Sequence, residues 1–459
     1  MTSPVLTTPD EAATFRRIGW RLLPLLFTCY IVAYLDRVNV GFAKLQMVGE
    51  LGWSDAVYGF GAGIFFLGYF LFEVPSNLLL ERVGARRWIA RIMITWAVVS
   101  ASFAFVDAIP WGPLPALFGV TPDVFGFYAL RLLLGMAEAG FFPGIVLYLT
   151  YWFPTHRRAR AFAKFMTAVA VANVLGAPLS GFIMQLFEGV YGWAGWRWLF
   201  VLESAPSLVM GVVILFLLPD GPMQAKWLSP DERRLVLHRL ADDESHASTP
   251  SHGMRAVQGG LRAAFLSGRV WALAFVYFSL AVGLYGVNFW MPTIIQELGL
   301  ERTAYLQIGL LSMIPWGIAG VTMLWWGNHS DRTGERRWHV TAALVCTSAG
   351  LALLAVTGTQ VVASMVALSL VAAGVLSAMS TFWSIPTAFL RGTAAAAGIA
   401  WINSIGNLGG HFGPDLIGRV RMATGSSAAA FLTLSALGLT GAVVTALVTR
   451  SPGAQIGRR

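Results

Sequence analysis

The chain alternates long apolar stretches with short polar connections. Twelve stretches of about 20 mostly apolar residues, the length a helix needs to cross a bilayer, fall at roughly 19–42, 56–79, 88–107, 124–150, 160–187, 197–218, 270–295, 304–327, 338–358, 361–386, 394–418 and 427–449. Six precede a polar stretch at 219–268 and six follow it. The pattern predicts an all-α membrane protein with twelve transmembrane helices in two six-helix bundles, residues 1–218 and 269–459, joined by a linker. Within the linker, Ser229-Pro230-Asp231-Glu232 reads as a helix start, with Ser229 as cap and acids in the first turn. Residues 243–260, rich in Ser, His and Gly, read as flexible.

Composition agrees with lipid as the solvent. Of 459 residues, 56% are hydrophobic and 12% charged, about half the charge of a soluble domain. The net charge of +9 records topology, not a nucleic-acid partner. With the N-terminus in the cytoplasm, Lys44, Arg197, Arg302, Arg419 and Arg421 fall outside, and Arg37, Arg91 and Arg131 fall within spans. The remaining Lys and Arg are cytoplasmic. That asymmetry places both termini in the cytoplasm of an inner, multi-pass membrane protein. Cys29 and Cys346 both lie in apolar stretches, without metal-site spacing. Residues 1–15 lack a signal-peptide layout.

One loop pattern occurs twice. Asn77, Glu81, Arg82, Gly84, Arg86, Arg87 is matched by Gly327, Asp331, Arg332, Gly334, Arg336, Arg337 at identical spacing, each copy between two spans. Asn173-x-x-Gly176 then Pro178 is echoed by Asn407-x-x-Gly410 then Pro414. Internal repeats half a chain apart are a mark of secondary transporters. The paired loops resemble the signature loops of the major facilitator superfamily; the first departs from the pattern at Asn77 and Glu81. The stretches YLDRVNVGFA (34–43), EVPSNLLLERVGARRW (73–88) and RLLLGMAEAGFFPG (131–144) resemble its anion:cation symporter branch, bacterial permeases for organic and sugar acids. The resemblance implies a latch between the halves on the cytoplasmic side, made by Glu81, Arg82, Arg86, Asp331, Arg332 and Arg336, with Glu73 near enough to join it.

Charges within spans carry the chemistry, because a charge at the bilayer centre costs about 3 kcal/mol or more and so faces a cavity or a partner. At about 1.5 Å per residue, Asp36, Arg37 and Arg131 lie roughly 10 Å below the outer surface and Glu138 roughly 20 Å deep. Arg131 and Glu138, seven apart, share a helix face. Arg37 and Arg131 are expected to hold an anionic substrate, since a guanidinium fork fits a carboxylate. Asp36 and Glu138 are expected to carry protons: deprotonated they compete for the Arg, protonated they release it. A structural pair with Arg131 is the alternative. Tyr69, Asn403, Asn407 and Trp383 are weaker substrate contacts; Tyr69 rests on the resemblance. His411 and Asp415 lie toward the outer end of the eleventh span. Little else in spans seven to twelve is ionisable, so the second half is expected to supply neutral contacts that select among anions.

The expected function is import of a small organic carboxylate by proton symport through alternating access. A proton-coupled efflux antiporter and an anion exchanger of the same fold are the rivals. No enzyme motif is evident: His-Glu-x-x-His, a nucleophile elbow and clustered metal ligands are all missing. A proton as coupling ion, no cofactor, no metal and a monomer in the lipid bilayer complete the expectation.

Overall fold

The computed structural model describes residues 10–246, 266–389 and 392–449. Most of the flexible segment expected at 243–260 lies outside them. The described residues are helical, with no strand. The first crossing is α1 (Glu11–Val38), which passes into α2 (Val40–Glu50) at Asn39. Then follow α3 (Asp55–Val83), α4 (Ala85–Ser102), α5 (Pro122–Glu138) with α6 (Phe141–Thr150), α7 (Thr155–Leu186) and α8 (Gly195–Leu217). A linker helix α9 (Pro230–His246) leads toward the second half: α10 (Gly268–Gln296), α11 (Tyr305–Thr333), α12 (Arg337–Thr357), α13 (Val361–Phe382), α14 (Gly392–Asn407) with α15 (Gly409–Thr424), and α16 (Ala428–Val448). Among the described residues 11 segments are long and apolar enough to cross a membrane. The eleventh stretch expected from the sequence is the broken pair α14–α15, which is not among those 11.

Local sequence explains the interruptions. Gly140 adopts φ 85°, a left-handed conformation open to glycine, and a side chain there would meet Ser76. The fourth crossing, expected to be continuous over 124–150, therefore breaks one residue after Glu138. The linker helix starts as expected: Ser229 Oγ accepts from Glu232 N at 3.2 Å while Glu232 Oε2 accepts from Ser229 N at 2.9 Å, a capping box. Arg17 and Arg239 then tie α9 to α1 through Glu232 and Glu11.

Apolar side chains such as Leu71, Leu175, Phe216, Val321 and Val362 stay exposed on the outside. That is the arrangement a lipid solvent permits and water does not. The two halves meet along three seams: α2 with α10, α3 with α15, and α7 with α11. Glycines set how close they come. A Cβ on Gly59 would sit 2.5 Å from the Pro414 carbonyl oxygen, and one on Gly418 2.3 Å from that of Asp55. On the other seam, Gly181 and Gly309 face Tyr305 and Ala177 at 2.3 Å and 2.5 Å. Small residues let helices approach backbone to backbone where hydrophobic burial gives no drive. The seams close the molecule at the end away from the linker, and a cavity opens between the halves at the linker end.

Candidate functional site

The central cavity holds about 340 Å³. Tyr30, Tyr34, Arg37 and Tyr69 line it from the first half, and Tyr277, Tyr285, Trp383, Asn403 and Asn407 from the second, with Asp331 near the linker-side mouth. Tyr30, Tyr34 and Arg37 follow helical spacing on α1 and share a face. Arg37 is the one cation among the described residues lining the cavity.

Arg37 is buried and closely held. One terminal nitrogen pairs with Glu138, the other donates to Tyr285 Oη at 3.4 Å, and the guanidinium lies 5.4–5.7 Å from the ring centres of Tyr34, Phe65 and Tyr69. Its Nε–H has no hydrogen-bond partner among the described residues. A buried donor without a partner costs about 1–3 kcal/mol, and an entering carboxylate would satisfy it. Glu138, the last residue of α5, reaches Arg37 because the chain breaks just beyond it.

Two expected site residues are placed elsewhere. Arg131 pairs neither with Glu138 nor with the cavity: it donates to the carbonyl oxygens of Ala62 at 2.8 Å and Gly61 at 3.4 Å, tying α5 to α3. Phe65 stands between the two arginines, its ring centre 5.4 Å from Arg37 and 5.1 Å from Arg131. Arg131 lies two turns beyond Glu138 toward the sealed end, so the face they share is split by depth. Asp36 points away from the cavity, because consecutive helix residues diverge by about 100°. It accepts hydrogen bonds from Trp96 Nε1 at 2.8 Å, Ser100 Oγ at 2.9 Å and Ser207 Oγ, which fix α1 to α4 and α8. Tyr69, Asn403, Asn407 and Trp383 do line the cavity.

The expected latch is not joined in this state. Arg336 pairs with Asp331 in its own loop at 2.6 Å, and Arg86 with Asp220 at 3.8 Å. Glu81, Arg82 and Arg332 make no ion pair among the described residues. The linker-side mouth parts the two loops. The ion cluster that does join the halves lies at the far end, and the sequence reading missed it. Asp55 accepts from Lys44 at 2.9 Å and, across the seam, from Arg421 at 2.9 Å; Arg421 also pairs with Glu297 at 2.5 Å. Lys44 Nζ lies 4.3 Å from the Trp290 ring centre. Tyr58 Oη donates across to the Phe289 carbonyl at 2.9 Å, and Asn288 Nδ2 to Asn173 Oδ1 at 3.3 Å. Nearby, Arg197 grips Asp107 with two hydrogen bonds, which hold that carboxyl below the usual carboxylate range.

His411 is half-buried beside Gly63, and Asp415 pairs with Arg419 at 2.8 Å. Breaking a partly buried pair that bridges two bodies costs about 1–3 kcal/mol. An Arg421→Ala substitution is therefore expected to raise the far-face-open population about tenfold or more. Labelling of a cysteine placed at Asn288 by an impermeant maleimide reads this; unchanged labelling would remove Arg421 from the gate.

A profile of the Major Facilitator Superfamily matches residues 26–414. The chain belongs to the Major Facilitator Superfamily. Within that superfamily, it is 47% identical over 447 residues to a protein of Agrobacterium vitis named "Putative tartrate transporter", covering 97% of this chain and 94% of that one. It is 37% identical to the "Quinolone resistance transporter" of Acinetobacter baumannii, covering 95% of each chain. Among solved structures, the D-xylose-proton symporter superposes with a TM-score of 0.69 at 15% identity, over 93% of this chain and 97% of that one; this likeness concerns the fold. The chain is thus a multi-pass membrane transporter of the superfamily, with a cavity between its halves where transporters of this architecture place their cargo.

Proposed function

We propose that this transporter imports a small organic carboxylate together with a proton, by alternating access. The observation that carries the reading is Arg37, the one cation that lines the cavity among the described residues, held by the Glu138 carboxylate with its Nε–H unpaired there. Glu138 occupies the guanidinium as a substrate carboxylate would. Protonation of Glu138 releases Arg37, and the anion takes its place. In the reverse sense, an anion on Arg37 displaces Glu138 into apolar surroundings, where the neutral acid is the cheaper form. Proton and anion therefore bind together. The phenols of Tyr69, Tyr277 and Tyr285 and the amides of Asn403 and Asn407 are polar groups for the body of the cargo. The name of the Agrobacterium vitis relative supports an organic acid.

In this scheme Arg131 acts indirectly, by tying α5 to α3 behind Phe65. Asp36 fixes α1 so that Arg37 faces the cavity; it would take up a proton only once the far face opens and exposes it. The loops of Glu81, Arg82, Arg86, Asp331, Arg332 and Arg336 form the latch of the opposite state. We place both termini and the linker in the cytoplasm and the protein in the inner membrane. The reading treats the working unit as a monomer and invokes no cofactor.

The test is uptake by purified protein in liposomes, against a panel of labelled organic acids. A pH lower outside should drive accumulation in the wild type, while Glu138→Gln retains anion binding and exchange but accumulates about tenfold less per pH unit of gradient, the share that one coupled proton supplies. Uptake indifferent to the gradient would overturn proton coupling. The quinolone-named relative favours a second reading, proton-coupled efflux. It predicts the opposite sign: acid outside would drive cargo out of the liposomes.

A further inference from the structure

We propose that Glu73 is a second proton-loaded carboxyl of the transport cycle, and that its charge state decides whether Asn403 is free to hold the anion. The proposal rests on the symport reading above and adds a group to it. Glu73 lies four residues after Tyr69 on α3, hence on the same face, and is 6% exposed. Its carboxyl crosses to the other half. Oε1 accepts from Asn403 Nδ2 at 2.7 Å and Oε2 from Ser404 Oγ at 3.3 Å, both on α14. Asn403 lines the cavity.

Among the described residues, no cation is hydrogen-bonded to or paired with Glu73. Tyr69 on its own helix and Tyr277 on α10, both phenols, are close enough to interact with it. Tyr69 also lies within reach of Arg37 and Glu138, which pair with each other. No Lys, Arg or His forms an ion pair with Glu73 among the described residues. A buried carboxylate that is structural normally has a cation, since leaving it unpaired costs several kcal/mol. Amide and hydroxyl partners can serve either charge state. Ionised, Glu73 holds both donors. Protonated, it has a hydroxyl that needs an acceptor, which Asn403 Oδ1 or Ser404 Oγ can supply, and the Asn403 amide N–H is given up to the cavity.

The geometry repeats on the two sides of the cavity. Glu138 occupies Arg37 and Glu73 occupies Asn403, so two of the groups suited to a carboxylate cargo are already held by carboxylates of the chain. Loading either acid releases one binding group. The proton added to Glu73 is released again when the carboxylate recaptures Asn403 after the cargo has left.

The test compares wild type with Glu73→Gln in liposomes, at zero membrane potential, under one pH unit of gradient. Each coupled proton supplies about 1.4 kcal/mol per pH unit, a factor of about ten in the accumulation ceiling. Gln keeps the size and hydrogen bonding of the side chain but cannot take a proton. The expected result is steady accumulation about tenfold lower in Glu73→Gln, with anion exchange retained. An equal ceiling in both proteins overturns the proposal and leaves Glu73 a tether, while symport through Glu138 stands. Absence of gradient-driven accumulation in the wild type overturns both. Wild type alone supplies a second measurement that needs no variant to fold. If more than one proton accompanies a monocarboxylate, an inside-negative potential accelerates uptake; uptake that ignores voltage refutes the role of Glu73.

Discussion

Arg37→Ala is expected to lower the transport kcat/KM by about 100-fold or more, with Arg37→Lys recovering part of it. A charge-assisted bidentate contact is worth about 1.5–3 kcal/mol or more in a dry site, and about 1.4 kcal/mol is a factor of ten. Among the described residues no second cation lines the cavity to substitute for it, and Arg131 is committed to the carbonyls of Gly61 and Ala62 behind Phe65. The single variant also strands Glu138 as a buried charge, which costs about 3–5 kcal/mol in its own right. Arg37→Ala with Glu138→Gln separates the two effects: the pair should recover thermal stability and expression without recovering uptake. Recovered uptake would show that Arg37 acts on stability alone. Arg131→Ala should instead reduce stability and uptake together, since its contacts are structural.

The second large effect is expected at the glycine seams. Any side chain on Gly181 or Gly418 meets backbone at 2.3 Å, closer than atoms can approach, so the helices must part. Overpacking of this kind costs about 1–3 kcal/mol per site, and more where backbone must move. Gly181→Leu with Gly418→Leu should therefore deplete the linker-open state by about 100-fold or more and favour the far-face-open one. Uptake is lost while anion binding persists, because no cavity residue is changed, and far-side labelling of a cysteine at Asn288 rises. Gly317, also on α11 but with nothing within 4 Å of an added Cβ, is the control; Gly317→Leu should leave all three readouts unchanged. Loss of uptake without increased labelling would mean that the seams do not set the state.

Much of this architecture is legible in the chain. Apolar length gives the crossings, and the duplicated loops give the two halves, because both depend on local composition. Ser229 and Glu232 cap the linker helix as their spacing requires. The site was half legible. Arg37, Tyr69, Asn403, Asn407 and Trp383 were placed on the cavity and line it. Depth along a helix was readable for Arg131, but which end was sealed was not, and that decides whether a side chain at that depth meets the cavity. Asp36 and Arg37 are adjacent, and adjacent helix positions diverge by about 100°, so with Arg37 on the cavity Asp36 faces α4 and α8. The four-residue spacing of Tyr69 and Glu73 puts both on one helix face, with Glu73 reaching the cavity-lining Asn403. The cluster of Lys44, Asp55, Arg421 and Glu297 had no local signal, since it joins positions from both halves of the chain that only the closed seams bring together.

The central claim is that anion and proton meet at one pair, Arg37 and Glu138. It is tested most directly by calorimetric titration of the purified transporter with a transported carboxylate, in buffers of different ionisation enthalpy. The account predicts net proton uptake on binding, lowered by about one proton per bound anion in Glu138→Gln. Anion binding that takes up no proton in the wild type, or the same number in Glu138→Gln, would contradict it.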